Sequence, residues 1–163
     1  MHSGPVVIGF DGTPTAERAL RESAALLAPR PALVVVVWEA GRAFELLTLP
    51  TRALELPPVS VDLRVALEAE KAAYENAERL AEQGAMLASE LGYQAEGLAV
   101  ADEVTVAETL LRVAAERDSQ ALVLGSHGRR GLTAALLGST SKDVIDKATR
   151  PVVIVRGDRV ARP

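Results

Sequence analysis

Cysteine is absent from this 163-residue chain, which excludes disulfide bonds, thiolate metal ligands and cysteine nucleophiles. Aromatic residues are scarce, at 3% of the chain, although hydrophobic residues make up 48%. The core must therefore consist mainly of alanine, valine and leucine, which suits helices and strands packed in layers. Neither sign of charge dominates, because 18 basic and 22 acidic residues are interspersed. Such a surface argues against nucleic acid as a partner.

Long hydrophobic runs are also missing, and the N-terminus has no charged start followed by a long apolar stretch. We therefore expect a soluble, cytoplasmic protein with no membrane partner. The length suits a single domain that covers residues 1–163. Within it, the prolines at 50, 57 and 58 predict a loop excursion over residues 41–61, and residues 157–163 form a polar tail.

Short apolar segments rich in β-branched residues alternate with segments of helical periodicity. The predicted strands cover residues 6–10, 33–38, 94–100, 121–124 and 151–155. The predicted helices cover residues 14–28, 68–91, 105–117 and 139–148. Four consecutive valines in the second strand indicate burial on both faces, which is typical of a parallel sheet. The alternation predicts an α/β fold with helices on both faces of the sheet and ligands at the carboxyl ends of the strands.

A glycine- and serine-rich stretch follows the fourth strand. Two residues separate Gly125 from Gly128, and nine more separate Gly128 from Gly138, which directly precedes the last helix. Glycine lets backbone N–H groups approach phosphate oxygens, and a helix N-terminus offers unpaired N–H donors in a favourable dipole. The first helical turn also carries three hydroxyls, on Ser139, Thr140 and Ser141. The stretch therefore predicts a phosphate-binding cradle.

This glycine and serine spacing resembles the universal stress protein family, in which a pattern of this form marks the members that bind ATP. The resemblance extends over nearly the whole chain, including the Asp11-Gly12-Thr13 turn, the Val-Trp-Glu end of the second strand and the final Pro-Val-Val-Ile-Val strand. It implies a five-stranded parallel sheet in the order 3-2-1-4-5, a Rossmann-like or adenine nucleotide alpha hydrolase-like fold, and a homodimer paired through the C-terminal strand. Gln120 and Asp102-Glu103 depart from the family pattern at the rim of the site.

The resemblance also implies a site for ATP, or for AMP or another adenine nucleotide, with Mg²⁺ or Mn²⁺ held through the phosphates. Adenosine would contact Asp11, the backbone of Gly9 and Phe10, and Val37. Ribose and phosphates would be held by Gly125, Gly128, Gly138, Ser139, Thr140 and Ser141. Apart from the resemblance, the guanidinium of Arg129 is a candidate to shield the phosphate charge. The sequence identifies no catalytic residue and no protein ligand for the metal.

Each of these residues also has a purely structural interpretation. Asp11 could cap a turn or helix, the glycines could form an ordinary loop, and Ser139 could cap the last helix, which is compatible with phosphate binding because both use the same donors. His127 has no identifiable carboxylate to orient it, so a loop histidine is favoured over a general base. The basic pair at 129–130 could be solvated rather than bound to phosphate.

Familiar enzyme motifs are incomplete in this sequence. Ser139 and Lys142 match a serine-x-x-lysine element whose companion motifs are missing, and Leu124 stands where a hydrolase nucleophile elbow around Ser126 requires glycine. The glycine loop also lacks the Gly-Lys-Ser/Thr ending of a P-loop. The sequence therefore favours a nucleotide-responsive stress-response regulator with little or no turnover and an unidentified protein partner. A slow metal-dependent ATPase or nucleotide transferase, and an interaction module without nucleotide, are the alternatives.

Overall fold

Five strands form one parallel sheet in the order β3-β2-β1-β4-β5 in the computed structural model, which describes residues 3–42, 44–45, 62–102, 104–126 and 137–156. The strands are β1 Val6–Gly9, β2 Pro31–Trp38, β3 Gln94–Ala101, β4 Ala121–Gly125 and β5 Val152–Val155. The helices that alternate with them are α1 Pro14–Leu27, α2 Leu63–Glu90, α3 Val106–Glu116 and α4 Ser139–Lys147. The predicted fold class and strand order are therefore confirmed.

Strand β1 lies at the centre of the sheet and is buried on both faces. Val6 and Ile8 pack into the cluster that contains α1 and α2, whereas Val7 packs into the cluster that contains α3 and α4. All three side chains are fully buried. This two-sided burial explains why the strand reads as a continuous apolar run rather than as an alternating pattern.

Polar side chains define where the first three helices begin. Thr13 accepts a hydrogen bond from the N–H of Ala16 at the start of α1, and Thr105 does the same for the N–H of Glu108 at the start of α3. Asp62 accepts from the N–H of Arg64 at the start of α2. Each contact satisfies one of the backbone donors that a helix N-terminus leaves without an intrahelical partner.

Two predicted boundaries were wrong by more than one residue. Strand β2 begins at Pro31 rather than at residue 33, because proline is tolerated as the first residue of a strand, where no ladder donor is needed. Helix α2 begins at Leu63 rather than at residue 68, because Asp62 caps it five residues earlier than the alanine- and glutamate-rich pattern suggested. The predicted excursion lies mostly, and the predicted tail entirely, outside the described residues.

Helix α2 packs on β2 and β3 through small residues. Its buried positions are Ala66, Ala77, Ala81, Gly84, Ala85 and Ala88. The approach to β3 is so close that a Cβ on Gly97 would stand 2.6 Å from the carbonyl oxygen of Ala81. The N–H of Gly41 donates to Glu70 Oε1 at 2.6 Å and ties the chain after β2 to the same helix. Over the described ranges, no helix combines the length and the apolar character needed to cross a membrane.

Candidate functional site

The carboxyl ends of β1 and β4 lie side by side, because these two strands are neighbours although they are not consecutive in the chain. Gly125 is the last residue of β4, and Asp11 follows the end of β1 by two residues. This is the point at which the winding of the sheet reverses. In open parallel sheets, the crevice outside such a switch point is where ligands bind.

Asp11 organises the turn between β1 and α1. Its Oδ1 atom accepts hydrogen bonds from the Thr13 N–H at 3.0 Å and from the Thr13 hydroxyl at 2.6 Å. Gly12 between them has a φ of +76°, a left-handed conformation that favours glycine. Thr13 in turn caps α1, so the carboxylate of Asp11 fixes the geometry at the start of that helix. Asp11 therefore has a structural role in holding this turn, and a role in ligand binding would come in addition to it.

Backbone of the same turn is held by the sheet. The N–H of Phe10 donates to the carbonyl oxygen of Val35 at 2.9 Å, which extends the β1–β2 pairing one residue past the end of β1. Gly9 is level with Val35 in the register, so Val37 lies two residues further toward the carboxyl edge. Val37 is half-buried and packs on the face covered by α3 and α4. All of the predicted adenosine contacts therefore lie near one edge of the sheet.

Two of the predicted site glycines have a packing explanation. A Cβ on Gly9 would collide with the side chain of Leu124 and stand 3.2 Å from Leu110 Cδ1. A Cβ on Gly125 would stand 2.8 Å from Thr15 Cγ2 and 3.1 Å from the carbonyl carbon and oxygen of the same residue. Glycine at residue 9 leaves room for the Leu124 and Leu110 side chains, and glycine at residue 125 lets α1 approach β4. Their contact with a nucleotide stays a prediction.

Helix α4 begins beside the end of β4. Gly138 is its N-cap, and the N–H of Gly138 donates to the carbonyl oxygen of Ser126 at 2.8 Å. The hydroxyl of Ser141 donates to the carbonyl oxygen of Gly125 at 2.9 Å. The N–H of Ser126 donates to the carbonyl oxygen of Val155 at 2.8 Å, which joins the same point to β5. The end of β4, itself held by β5, therefore fixes the amino end of α4 at the switch point.

The three hydroxyl residues at the start of α4 are not equivalent. Ser141 is buried and its hydroxyl is engaged with Gly125, whereas Ser139 is exposed and Thr140 is half-buried. Gly138 has no side chain with which to cap the first-turn N–H groups. Ser139 and Thr140 are therefore better placed than Ser141 to meet a ligand from solvent.

Some predicted residues lie outside the part of the chain that the structure describes. These are Gly128 and Arg129 of the predicted cradle, together with His127 and Arg130. Ser126, which the sequence analysis weighed only as a hydrolase nucleophile, is 1% exposed and links α4, β4 and β5 through its backbone. Its position between β4 and the glycine stretch was visible in the sequence, but a backbone role leaves no side-chain signature.

A depression of about 300 Å³ lies away from the switch point, between α3 and α4 at the amino ends of β4 and β5. Three basic residues line it, and each forms an ion pair: Arg112 with Glu116, Lys147 with Glu108, and Arg150 with Asp118. The hydrogen bond to Glu108 raises the pKa of Lys147. Because its cations are already paired and it opens at the other end of the sheet, it is not the predicted nucleotide site.

An open, doubly wound parallel sheet with a crevice at its switch point is a ligand-binding class of fold. Residues 3–156 match the profile of the universal stress protein family, and the chain belongs to that family. A universal stress protein of Mycobacterium tuberculosis is 32% identical over 155 residues, which are 93% of this chain and 45% of that protein. The chain thus spans less than half the length of the curated mycobacterial relatives it matches.

Solved structures share the fold. The structure of MJ0577, a universal stress protein of Methanocaldococcus jannaschii, aligns with a TM-score of 0.74 at 20% identity and covers 98% of this chain and 99% of that one. A universal stress protein from Archaeoglobus fulgidus in complex with dAMP aligns with a TM-score of 0.58 at 23% identity, covering 96% and 100% of the two chains. The crystal structure of a universal stress protein in complex with cAMP aligns with a TM-score of 0.61 at 20% identity, covering 97% of this chain and 100% of that one.

Replacing Gly125 by alanine tests the packing role of this glycine. Because the new methyl group meets Thr15, we expect the free energy of unfolding without any ligand to fall by about 1–3 kcal/mol. The measurement is urea unfolding followed by circular dichroism. Thr15→Ser removes the Cγ2 atom that the new methyl group meets. It should therefore recover part of the lost stability in the Gly125→Ala background, but it should not stabilise the wild-type protein. An unchanged denaturant midpoint for Gly125→Ala would show that α1 does not need this glycine.

Proposed function

We propose that this chain is a cytoplasmic, single-domain regulatory module of the stress response that binds ATP or a related adenine nucleotide at the carboxyl ends of β1 and β4. The observation that carries the proposal is the convergence there of the Asp11 turn with the glycine-capped amino end of α4. Membership of the family supports it. So do the dAMP and cAMP complexes of other family members.

The phosphate half of the proposed site is built on the start of α4. Its first-turn N–H groups point outward from the helix end and carry a partial positive charge that favours an anion. The exposed hydroxyl of Ser139 and that of Thr140 would add donors. We assign Gly128 to the same half by the family resemblance, and Arg129 because a guanidinium can shield phosphate charge. The part of the chain that is described has no cluster of three acidic or histidine side chains for a metal, so Mg²⁺ or Mn²⁺ would be held mainly by the phosphates.

The adenosine half of the proposed site is built on β1 and β2. Asp11 would offer its carboxylate to ribose or base while it continues to hold Thr13, because a carboxylate has four lone-pair positions and can accept several hydrogen bonds. Backbone groups of Gly9 and Phe10 and the side chain of Val37 would line the base. Bound nucleotide would then alter the surface around residues 126–138, which an unidentified protein partner would read.

The clearest test adds a negative charge at Ser139, the first residue of α4. We expect Ser139→Glu to weaken binding of ATP with Mg²⁺ by at least about tenfold, because the carboxylate repels the phosphates at short range. The same charge should leave the helix as stable or more stable, since an acidic residue at a helix N-terminus is favoured by about 0.3–1 kcal/mol. Calorimetric titration and thermal unfolding measure the two effects separately.

Ser139→Gln is the matched neutral control for this variant. It has the same shape as Ser139→Glu without the charge, and we expect it to bind ATP far better than the charged variant does. The loss of affinity caused by Ser139→Glu should be smaller for AMP than for ATP and absent for adenosine. A glutamate variant that binds ATP as tightly as the glutamine variant would rule out phosphate contact at the start of α4. Failure of the wild-type protein to bind any adenine nucleotide would overturn the proposed function.

We also propose that binding occurs with little or no turnover. The motivation is a site that offers donors to phosphate but no identified general base. The measurement is ADP formation by the wild-type protein with ATP and Mg²⁺, compared with a protein-free sample, and we expect the two to agree. Metal-dependent ADP formation that disappears in Asp11→Ala while the circular dichroism spectrum is retained would instead favour the slow ATPase alternative.

A homodimer paired through β5 is the remaining part of the proposal. This strand ends the sheet among the described strands, contains only valine and isoleucine, and keeps all four side chains half-buried. An apolar strand edge without a charge invites pairing with another chain. We expect sedimentation equilibrium at micromolar concentrations to give twice the mass of one chain. A monomer mass over the whole concentration range would contradict this pairing.

A further inference from the structure

Helix α2 packs against the turn that carries Asp11. We define this β1–α1 turn as residues 10–13. Phe10 is 7% exposed and its ring lies against the backbone of α2 at Gly84. A Cβ on Gly84 would stand 2.8 Å from Phe10 Cδ1 and 2.8 Å from Val34 Cγ1. The ring and the helix are therefore in direct contact, and any side chain at residue 84 would have to displace one of them.

The same helix makes a second contact on the other side of Asp11. A Cβ on Gly12 would stand 2.9 Å from Leu80 Cδ1. Leu80 lies four residues before Gly84, so both residues belong to one face of α2. The two residues that flank Asp11 in sequence are thus each in contact with α2, whereas the Asp11 carboxylate itself holds Thr13.

We propose that Leu80 and Gly84 are positioning residues for nucleotide binding. They brace the β1–α1 turn in the geometry that receives the adenosine half of the ligand, although they do not form the binding surface themselves. The inference rests on the proposed function. The sheet fixes one side of the turn through the Phe10 to Val35 hydrogen bond, α1 fixes the second through Thr13, and α2 fixes the third.

The energetic argument is one of preorganisation. A turn that is already held in its binding geometry does not have to be ordered when the ligand arrives. If loss of the brace leaves the turn in that geometry for about one tenth of the time, the apparent dissociation constant rises about tenfold. The start of α4 is anchored separately, by Gly125 and Ser126, so the phosphate contacts should be spared.

The chain offers a matched pair of variants for the test. Leu80 and Leu87 are both partly buried leucines that pack against the same core cluster from the same helix. They are seven residues, or about two turns, apart, so they share a face, but Leu87 lies toward the end of α2 that is far from the β1–α1 turn. Leu80→Ala and Leu87→Ala therefore remove the same atoms from similar surroundings and differ in their contact with the turn.

We expect Leu80→Ala to raise the dissociation constants for AMP and ATP by the same factor, about tenfold. Leu87→Ala should leave both dissociation constants within about twofold of the wild-type values. Equal factors for the two nucleotides indicate that the adenosine half is affected, whereas a loss of phosphate contacts would penalise ATP more. Amide hydrogen exchange gives an independent readout, because the Thr13 N–H that binds Asp11 should exchange faster in Leu80→Ala than in Leu87→Ala.

A second test of the same proposal adds a methyl group at the contact between α2 and Phe10 instead of removing side-chain atoms. Gly84→Ala should also weaken the binding of AMP and of ATP by equal factors, since the methyl group pushes on the ring of Phe10. Adding Phe10→Leu should restore part of the lost affinity, because the smaller side chain makes room and the backbone of residue 10 is unchanged. Rescue of this kind shows that the effect travels through the ring and is not a general loss of stability.

The outcomes separate the inference from the function on which it rests. If wild-type protein binds adenine nucleotide and the two leucine variants bind it equally well, the positioning role is wrong and the proposed function stands. If the wild-type protein binds no adenine nucleotide, the proposed function fails, and equal Thr13 exchange in the two variants would overturn the brace as well.

Discussion

Close approach between helix and sheet is the constraint on which the rest of this structure depends. With few aromatic residues to fill space, α1 and α2 reach the strands through positions that lack a Cβ. Gly125 admits Thr15 of α1, Gly97 admits the backbone of α2 at Ala81, and Gly84 admits the ring of Phe10. A methyl group at any of these positions would force a neighbour to move, and densely packed interiors resist such shifts. The glycines therefore set the distances between the layers.

This constraint also shapes the candidate site, because some of the residues that pack the layers also lie at the carboxyl ends of β1 and β4. Gly125 ends β4 in contact with α1, and its carbonyl oxygen accepts a hydrogen bond from the hydroxyl of Ser141. This hydrogen bond helps to fix the start of α4. Asp11 holds Thr13, which caps α1. In each case a structural role and a proposed binding role fall on the same residue. A residue at this site can therefore hold the local structure and also bind a ligand, so the structural and the ligand-binding interpretations of the sequence are compatible.

The sequence predicted the alternation of strands and helices well, because burial on both faces leaves short but unbroken apolar segments and helices leave a clear periodicity. The strand order came from the family resemblance rather than from the pattern. The early start of α2 at Leu63 was missed because its signal was a single capping aspartate, Asp62. The brace at Gly84 could not be predicted, since a glycine inside a helix reveals its purpose only when the element packed against it is known.

The two halves of the proposed site differ in how firmly the fold holds them. The adenosine half is fixed by contacts from the sheet, α1 and α2, and therefore shares its stability with the core. The phosphate half is fixed at the start of α4, where Ser139 is exposed, so a substitution there disturbs little else. Recognition of the base should consequently be hard to change without unfolding the protein. Under the proposed function, preference for the number of phosphates would depend on exposed residues such as Ser139 and could vary while the fold stays the same.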